Sequence, residues 1–376
     1  MIIAGEASGD LHGANLAREL SGIDSGLHFS GIGGSGMAEA GVSLFYDISN
    51  LAVMGFVEIL HRLKDIKTAM KIMENRLRID RPDLLILIDY PGFNLDAARR
   101  AKKYNIPVLY YISPKIWAWR EGRVESIKKY IDRMAVILPF EKKFYQGHGI
   151  EVDFVGNPLL DQVRAAMSQA EFKSLHAIES DATVVGLMPG SRQQEVAKLL
   201  PLFLETAHLI NSEVKKCVFL LPLAPSLSED DIFKQGGLDD RLDIRLVKNE
   251  RYEAMAACDA AMAASGTLTM ELAILKVPMV VCYRVSMLSY LLARPFIKVK
   301  YMSLVNLVAG KEVVPELLQK RATPLNIFRK LMPLLVSAGA KQTMQRELVQ
   351  VNEQLGSPGA SRRTAELAMA MLAAAG

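Results

Sequence analysis

The stretch "DLLILID" (residues 83–89) decides the fold of this chain. It is almost continuously apolar, as expected of a parallel strand buried on both faces of its sheet. The runs "PVLYYI" (107–112), "RMAVIL" (133–138) and "VDFVG" (152–156) follow it, with amphipathic stretches between them. Short apolar runs that alternate with helical stretches predict a parallel α/β sheet with crossover helices.

A second series of strand candidates begins after a more polar, helix-like segment near residues 157–180. Its members are "ATVVGLM" (182–188), "CVFLLPL" (217–223), "LDIRLV" (242–247), "DAAMAA" (259–264) and "PMVVCYR" (278–284). Two such series predict the α/β class, with two Rossmann-like domains that face a cleft. We expect domains at 1–157 and 158–344, with the terminal helices 345–376 packing back on the first domain.

Composition narrows the function classes. Of the 376 residues, 50% are hydrophobic and the net charge is +4, which predicts a globular protein and not a dedicated nucleic-acid binder. A mild positive charge suits attraction to phosphates or to an anionic membrane surface. The three widely spaced cysteines and six scattered histidines predict a reducing compartment and no metal site. The chain has no apolar run of about 18 residues, and "MIIAGEASGD" predicts a first strand instead of a signal peptide, so we expect a cytoplasmic protein.

The turn "PGSRQQEV" (189–196) directly follows a predicted strand. Ser191 and Gln194 match a capping box, so a helix is expected to begin here. Backbone N–H groups at a helix N-terminus attract anions, and Arg192 adds a guanidinium that can hold phosphate oxygens in a bidentate way. A capped helix with a solvated arginine remains an equal alternative.

A second turn of the same kind lies in "AASGTLTMELAI" (263–274). Ser265, Gly266 and Thr267 end a strand, and Glu271 lies one helical turn further on. A carboxylate there can accept hydrogen bonds from ribose hydroxyls, and the alternative is a surface glutamate. Together the two turns predict a nucleotide site in the second domain. The absence of a GxxxxGK[ST] motif disfavours ATP or GTP hydrolysis.

Two turns in the first half carry carboxylates. "GEASGDLHG" (5–13) is not GxGxxG, which lowers the case for NAD or FAD, and it contributes Glu6 and Asp10. "IDYPGFN" (88–94) places Asp89 at the carboxyl end of the most apolar strand. Partial desolvation there would raise the pKa of Asp89 and make it a better base. A capped turn is the plain alternative at both places.

Two further stretches combine apolar and cationic side chains. "SPKIWAWR" (113–120) holds both tryptophans of the chain between Lys115 and Arg120. The stretch 287–319 is apolar but contains Arg294, Lys298 and Lys300, and such a composition can lie on a membrane interface. A buried helix and turn is the favoured alternative for the second stretch.

Taken together, these stretches resemble the lipid-A-disaccharide synthase family. The matching motifs run in order from residue 5 to residue 319: "GEASGD", "LAVMGFVEIL", "IDYPGFN", "YISPKIWAWR", "LPFEKKFY", "GNPL", "PGSRQQEV", "SGTLTMELA", "PMVVCYR" and "SLVNLVAGKEVVPELLQ".

The resemblance implies the B-type glycosyltransferase fold, with acceptor binding in the first domain and UDP-donor binding in the second. It implies transfer of 2,3-diacylglucosamine from UDP-2,3-diacylglucosamine to the 6-hydroxyl of 2,3-diacylglucosamine 1-phosphate, with inversion and release of UDP. It also implies that no cofactor and no catalytic metal is needed. Members work as peripheral proteins on the cytoplasmic face of the Gram-negative inner membrane, so that lipid surface is an expected partner, and nucleic acid is not.

The family's functional residues carry over onto matching positions. Asp89 would be the base and Arg192, with Ser191, the phosphate contact. The other implied substrate-binding residues are Glu6, Ser8 and Asp10 on the acceptor side, and Ser265, Gly266, Thr267, Glu271, Arg284, Asn306 and Glu312 in the second domain. As a further hypothesis, Trp117 would contact acyl chain or sugar. One position departs from the family pattern, because Gly92 stands where a second acidic residue was expected, so no carboxylate pair is assigned.

Three other functions remained open at this point. A UDP-sugar 2-epimerase shares the architecture but needs acid and base groups that none of the histidines persuasively supplies. The glycosyltransferase that builds the peptidoglycan lipid precursor would have a different acceptor half. A non-catalytic nucleotide-sugar or membrane-binding module would tolerate loss of Asp89. As a further hypothesis, the chain forms a homodimer.

Overall fold

A computed structural model describes residues 1–48, 58–119, 121–234, 238–285 and 299–375. Most of the motif "LAVMGFVEIL" and the residues Arg120, Arg294 and Lys298 lie outside these ranges, so the predictions made for them concern residues that are not described.

Contacts divide the chain into two compact units, residues 1–158 with 356–376 and residues 159–355. The return to the first domain begins later than residue 345, the position expected from the sequence. In the structure the helix Ala338–Gln354 packs against helices of the second unit, and the return begins at Gly356.

The first unit is built on a seven-stranded sheet of parallel strands within the described residues. In chain order its strands are β1 Ile2–Ala4, β2 Ser30–Gly33, β3 Ser43–Asp47, β4 Leu85–Ile88, β5 Val108–Tyr111, β6 Arg133–Val136 and β7 Asp153–Phe154. Its α-helices are α1 Ala7–Ile23, α2 Ser35–Glu39, α3 Glu58–Ile79, α4 Pro91–Ala101, α5 Val124–Tyr130, α6 Pro139–Gln146 and the terminal helix Ala360–Ala375. The terminal helix packs beside α1, and Arg363 Nε donates to the carbonyl oxygen of Val155 at 2.8 Å.

The second unit repeats this plan around a six-stranded sheet of parallel strands among the residues described. Its strands are β8 Thr183–Met188, β9 Cys217–Pro222, β10 Ile244–Val247, β11 Ala260–Ala264, β12 Met279–Tyr283 and β13 Glu316–Leu318. Its α-helices are α7 Leu159–Gln162, α8 Gln169–Leu175, α9 Gln193–Glu213, α10 Glu229–Phe233, α11 Arg251–Ala256, α12 Thr267–Ile274, α13 Leu304–Ala309, α14 Pro324–Val336 and α15 Ala338–Gln354.

Central strands are buried on both faces, as the apolar runs predicted. All four residues of β4 are buried, and so are all five of β11. Helices cover each face of the first sheet and complete two apolar cores, one on either side. Since burial of apolar surface stabilises by about 25 cal/mol per Å², these layers place the central strands where displacement is most costly.

Strand order reverses direction once in each sheet. The first sheet has the order β3-β2-β1-β4-β5-β6-β7 and the second the order β10-β9-β8-β11-β12-β13. The reversal lies between β1 and β4 in one unit and between β8 and β11 in the other. Open α/β sheets bind ligands beyond the carboxyl ends of the strands at this switch point. The four turns selected from sequence follow these four strands.

No helix in the described ranges combines the length and the apolar character that crossing a bilayer requires.

Candidate active site

The turn after β4 holds Asp89 in a strained conformation. Asp89 and Tyr90 both have left-handed backbones, with φ of 45° and 44°, and neither is a glycine. Each such residue costs about 1–3 kcal/mol, and backbones of this kind persist only where neighbouring contacts over-determine them. Pro91 then begins α4, because its fixed φ suits the first position of a helix.

Hydrogen bonds around this turn supply that constraint. Asn94 Nδ2 donates to the carbonyl oxygens of Ile88 at 3.0 Å and of Asp89 at 2.7 Å. The Tyr110 hydroxyl donates to the same Asp89 carbonyl, and the Asp89 N–H donates to the Tyr111 carbonyl at 3.1 Å. The backbone of Asp89 is therefore fastened to α4 and to β5, and its carboxylate position is set by both.

The electrostatic surroundings raise the pKa of Asp89 above its usual value. Burial is the largest cause, because it disfavours the charged form. The ammonium of Lys115 lowers the pKa, the carboxylate of Glu6 raises it, and the Tyr90 N–H lowers it by hydrogen bonding. A partly buried carboxylate with a raised pKa, at the end of a central strand, has the properties of a general base.

The turn after β1 packs directly against the Asp89 turn. A Cβ on Gly5 would lie 2.1 Å from the Tyr90 ring, so only glycine fits between these turns. Glu6 and Ser8 are exposed at the start of α1. Both residues lie at the switch point, where a ligand is expected to bind, and their acceptor role stays a prediction.

Asp10 has a structural role that the sequence analysis did not anticipate. It is 8% exposed, and its carboxylate accepts the N–H groups of Gly34 at 2.6 Å, Gly36 at 2.9 Å and Met37 at 3.1 Å. These are the first N–H groups of α2, which otherwise lack partners. Asp10 therefore holds α2 against α1, and its role on the acceptor side stays a prediction.

The loop after β5 places the two tryptophans in different environments. Trp117 Nε1 donates to Glu141 Oε1 at 3.1 Å, and its ring meets Phe140 edge to face with centroids 4.8 Å apart. Trp119 is instead 47% exposed. The indole N–H of Trp117 is thus engaged inside the unit, and Trp119 is the ring that the surface presents.

The turn after β8 positions Arg192, but not through the predicted cap. Helix α9 begins at Gln193, Arg192 is its N-cap residue, and no side chain caps it, so the Ser191–Gln194 capping box was wrong. Ser191 and Arg192 are exposed, and the Arg192 side chain is 79% accessible.

Glu195 occupies the place expected for an anion at this helix N-terminus. Its carboxylate accepts the Ser191 N–H at 3.1 Å and the Arg192 guanidinium at 3.4 Å. Gly190 has φ of 116°, and a Cβ on it would lie 2.3 Å from Glu195 Oε2. A carboxylate thus already meets the donors that a phosphate would use.

The turn after β11 places four predicted residues differently. Ser265 Oγ donates to the Met302 carbonyl at 2.9 Å, whereas the space beside Gly266 is open at a φ of 155°. Thr267 is exposed as the first residue of α12. Glu271 is 8% exposed and forms an ion pair with Arg251, in which Nη1 lies 3.3 Å from Oε1. Any ribose hydroxyl bound by Glu271 would share it with Arg251.

Asn306 also makes structural contacts. It is fully buried, and its Nδ2 donates to the Val314 carbonyl and to Glu316 Oε1, both at 2.8 Å. Its Oδ1 accepts the N–H groups of Val313 at 2.7 Å and Val314 at 3.0 Å. Both donors and both lone pairs are used, so Asn306 holds the 306–316 turn and has no polar atom left for a substrate.

Two remaining positions are exposed at the surface of the second unit. Arg284 directly follows β12, and Glu312 precedes β13. Within the residues the structure describes, no group of three or more His, Cys, Asp or Glu side chains could hold a metal ion.

Sequence reasoning missed Glu141 and Arg251 as partners in the two units. The signal for Glu141 was present, because "LPFE" places a proline at the first position of a helix and a glutamate two residues later, near its N-terminal N–H groups. Its contact with the 113–119 loop spans 28 residues of sequence, and the Arg251–Glu271 pair spans 20. No local pattern predicts pairs at such separations.

Comparison with known proteins matches almost the whole chain. The family model described as lipid-A-disaccharide synthetase matches residues 1–371. The lipid-A-disaccharide synthase of Syntrophus aciditrophicus is 45% identical over 372 residues, which cover 99% of this chain and 97% of that protein. The lipid-A-disaccharide synthase of Nitrosococcus oceani is 46% identical over 373 residues, covering 99% of this chain and 95% of that protein.

Solved structures share the fold at low sequence identity. The glycosyltransferase of kitacinnamycin aligns with a TM-score of 0.64 at 14% identity, covering 99% of this chain and 98% of that one. A putative UDP-N-acetylglucosamine 2-epimerase from Listeria monocytogenes aligns with a TM-score of 0.64 at 11% identity, covering 98% and 94%. These confirm the predicted α/β fold of B-type glycosyltransferases, with a parallel sheet in each of two domains.

The family match extends over nearly the full length of the chain, and the two parallel sheets with turns at both switch points are consistent with it. This chain therefore belongs to the lipid-A-disaccharide synthetase family.

Proposed function

We propose that this chain is the glycosyltransferase that transfers 2,3-diacylglucosamine from UDP-2,3-diacylglucosamine to the 6-hydroxyl of 2,3-diacylglucosamine 1-phosphate. The products are the β(1→6)-linked disaccharide 1-phosphate and UDP. The reaction is a step of lipid A biosynthesis. The observation that carries the residue assignment is the raised-pKa carboxylate of Asp89 in a strained, fastened turn at the first switch point.

Asp89 is assigned the role of general base. Its carboxylate takes the proton of the acceptor 6-hydroxyl as that oxygen forms a bond to C1 of the donor sugar. The C1–oxygen bond to UDP breaks on the opposite face, which inverts the anomeric centre. A positioned base of this kind accelerates such a step by roughly 10²–10⁴-fold.

Arg192 and the N-terminus of α9 are assigned the departing diphosphate. The guanidinium and the backbone N–H groups stabilise the negative charge that develops on UDP, which is electrostatic catalysis supplied by the chain's own residues. Glu195 must release its two contacts with Ser191 and Arg192 for the diphosphate to take them.

A cavity of about 430 Å³ beside the carboxyl ends of β9 and β10 is assigned the nucleoside. Leu223, Asn249, Arg251 and Tyr252 contribute to its lining. Arg251 links this cavity to Glu271 through their ion pair, which supports the placement of the ribose near that carboxylate.

The substrates carry long acyl chains, so the protein is assigned a peripheral position on the cytoplasmic face of the inner membrane. The net charge of +4 and the exposed Trp119 support this assignment. Co-sedimentation with phosphatidylglycerol vesicles, compared with neutral vesicles, tests it. The homodimer stays a prediction, and sedimentation velocity in detergent tests it by measuring the mass of the particle in solution.

Asp89→Asn tests the assignment of the base. We expect UDP formation from both substrates in detergent micelles to fall by roughly 10²–10⁴-fold, while UDP affinity measured by calorimetry stays at the wild-type value. Asp96→Asn is the matched control, because it is an exchange of the same kind on the helix α4 that follows the Asp89 turn, at a carboxylate that pairs with Arg99 and Arg100.

An Asp89→Asn variant that keeps most of its activity would place the base elsewhere, with Glu6 next to be examined. A wild-type protein that binds UDP but forms no disaccharide would overturn the reaction itself.

A further inference from the structure

The loop 113–119 carries Lys115, whose positive charge acts on the Asp89 carboxylate. It leaves β5 at Ile112, which has a left-handed backbone with φ of 63° and donates its N–H to the Ala135 carbonyl at 3.0 Å. Ile116 is 2% exposed and anchors the middle of the loop in the core. Lys115 itself is exposed, so its position depends on what holds the loop on either side.

Glu141 holds that loop from below. It is 1% exposed, and its Oε1 accepts the Ser113 hydroxyl at 2.7 Å and the Trp117 indole N–H at 3.1 Å. Its Oε2 accepts the backbone N–H groups of Leu138 at 2.9 Å and Ile137 at 3.2 Å. Oε1 therefore binds two residues of the loop, one on each side of Lys115, and Oε2 binds the backbone at the start of α6.

The chemistry of these contacts requires a carboxylate. The indole and the two backbone N–H groups can only donate, so both side-chain oxygens must accept. An amide of the same shape would turn its NH₂ towards at least one of these donors and lose that bond. A buried donor left unpaired destabilises the arrangement around it.

We propose that Glu141 is a positioning residue for the transfer reaction, which locks the 113–119 loop and so holds the Lys115 ammonium beside Asp89. The inference rests on the role of Asp89 proposed above. The hydrogen bonds of Glu141 go to the loop and to the start of α6, so its proposed effect on Asp89 passes through the loop.

Several groups face the two carboxylates. Around Asp89 these are Lys115 and Glu6, with Tyr110 and the Asn94 amide on its backbone carbonyl. Of these, the Lys115 charge lowers the pKa of Asp89 most.

Beside Glu141 lie Ser113, Trp117 and the Tyr145 phenol. Burial, and to a lesser extent the Glu141 charge, raises the pKa of Tyr145, so that phenol stays neutral at working pH. Lys115 is therefore the cation through which a disturbance at Glu141 reaches Asp89.

The test is the pH dependence of kcat for Glu141→Gln, Lys115→Gln and the double variant. Asp89 works as a carboxylate, so activity falls as pH falls through its pKa. Withdrawing the Lys115 charge raises that pKa, and both single variants are expected to move the acid limb to higher pH. The double variant should move the acid limb no further than Lys115→Gln alone. Glu141→Gln acts by displacing the Lys115 charge from Asp89, and that charge is already absent in Lys115→Gln. Glu125→Gln, at an exposed carboxylate on the neighbouring α5, should leave the limb in place.

A spectroscopic reading accompanies the kinetics. The chain has two tryptophans, so a Trp119→Phe background leaves Trp117 as the sole indole emitter. We expect Glu141→Gln in that background to shift its emission to the red, as the indole loses its partner and meets water. Should Glu141→Gln fail to fold, Ser113→Ala removes one donor of the same network and is expected to move the acid limb in the same direction by less.

Three results would overturn the inference. An acid limb unchanged in Glu141→Gln, or in Ser113→Ala if only that variant folds, shows that the loop does not depend on the network. A rate reduced by the same factor at every pH shows a scaffold role only, and a fully additive double variant shows that Glu141 acts independently of Lys115.

Failure of the base assignment is distinguishable from these results. If Asp89→Asn stays active, the assignment of Asp89 as the base is wrong. If Asp89→Asn is inactive and Glu141→Gln has a wild-type pH profile, only the positioning role of Glu141 is wrong.

Discussion

The turns after β4 and β8 each follow a strand at the switch point of their own sheet, yet they are built in opposite ways. The first holds Asp89 partly buried on a left-handed backbone that Asn94 and Tyr110 fasten. The second holds Arg192 with 79% of its side chain accessible, after a glycine that takes the left-handed backbone at Gly190.

The roles proposed for the two turns account for this difference. A base must be placed to a fraction of an ångström and kept from full hydration, so strain and burial are tolerated at Asp89. A diphosphate must enter and leave in each turnover, and an exposed arginine beside a replaceable carboxylate, Glu195, permits that exchange. The following variants sharpen the comparison, from the largest expected effect to the smallest.

Arg192→Gln removes the exposed cation. We expect kcat/KM to fall by roughly 10²–10³-fold, as for loss of one donor to a developing negative charge. UDP affinity should weaken as well, whereas Asp89→Asn leaves it unchanged. Arg329→Gln, the same exchange at an exposed arginine on α14, is the control. Wild-type kinetics in Arg192→Gln would remove the second turn from the chemistry.

Asn94→Ala releases the strained turn. The Ile88 and Asp89 carbonyls lose the Asn94 amide donor, and the Asp89 carbonyl keeps a second one, the Tyr110 hydroxyl. A displacement of about 1 Å at the base costs roughly 10²-fold in kcat. Ser226→Ala removes the corresponding fastening at the second turn, where its hydroxyl donates to the Ser191 carbonyl at 2.7 Å. We expect kcat close to wild type there. Equal losses in both variants, with melting temperatures recorded for each, would contradict the contrast between a rigid and an open turn.

Glu6→Gln tests the electrostatics at the first turn. The Glu6 charge raises the pKa of Asp89, so its removal lowers that pKa and keeps Asp89 ionised in more acidic solution. The acid limb of the kcat–pH profile should therefore move to lower pH, opposite to Lys115→Gln. Glu39→Gln, at an exposed carboxylate on α2, should leave the limb in place. A limb that moves to higher pH in Glu6→Gln would reverse the assigned sign.

Glu195→Gln tests whether a carboxylate competes for the phosphate site. A negative charge in the first turn of a helix is stabilised by about 0.3–1 kcal/mol, so its loss should tighten UDP binding by roughly two- to fivefold in calorimetry. Glu213→Gln, at the exposed far end of the same helix, is the matched control. Weaker UDP binding in Glu195→Gln would mean that Glu195 supports the site instead of occupying it.

The amino-acid sequence by itself determined the strands and the turns that follow them. Apolar runs such as 83–89 predicted buried parallel strands because burial on both faces demands apolar residues at every position. Small and polar residues directly after those runs marked the switch points, since ligands bind where parallel strands end. The Ser191–Gln194 cap failed because a match of residue types does not specify the backbone that brings side chain and N–H together.

Only the tertiary structure decided which polar side chains are free for a substrate. Asp10 and Asn306 have the residue types of a binding site, but each already accepts backbone N–H groups, 24 and 8 residues away in sequence. Glu141 has the type of a plain helix-start glutamate, but it reaches Ser113 across 28 residues. A polar group removed from water must find a partner wherever the fold brings one, and sequence spacing does not show which partners are brought near.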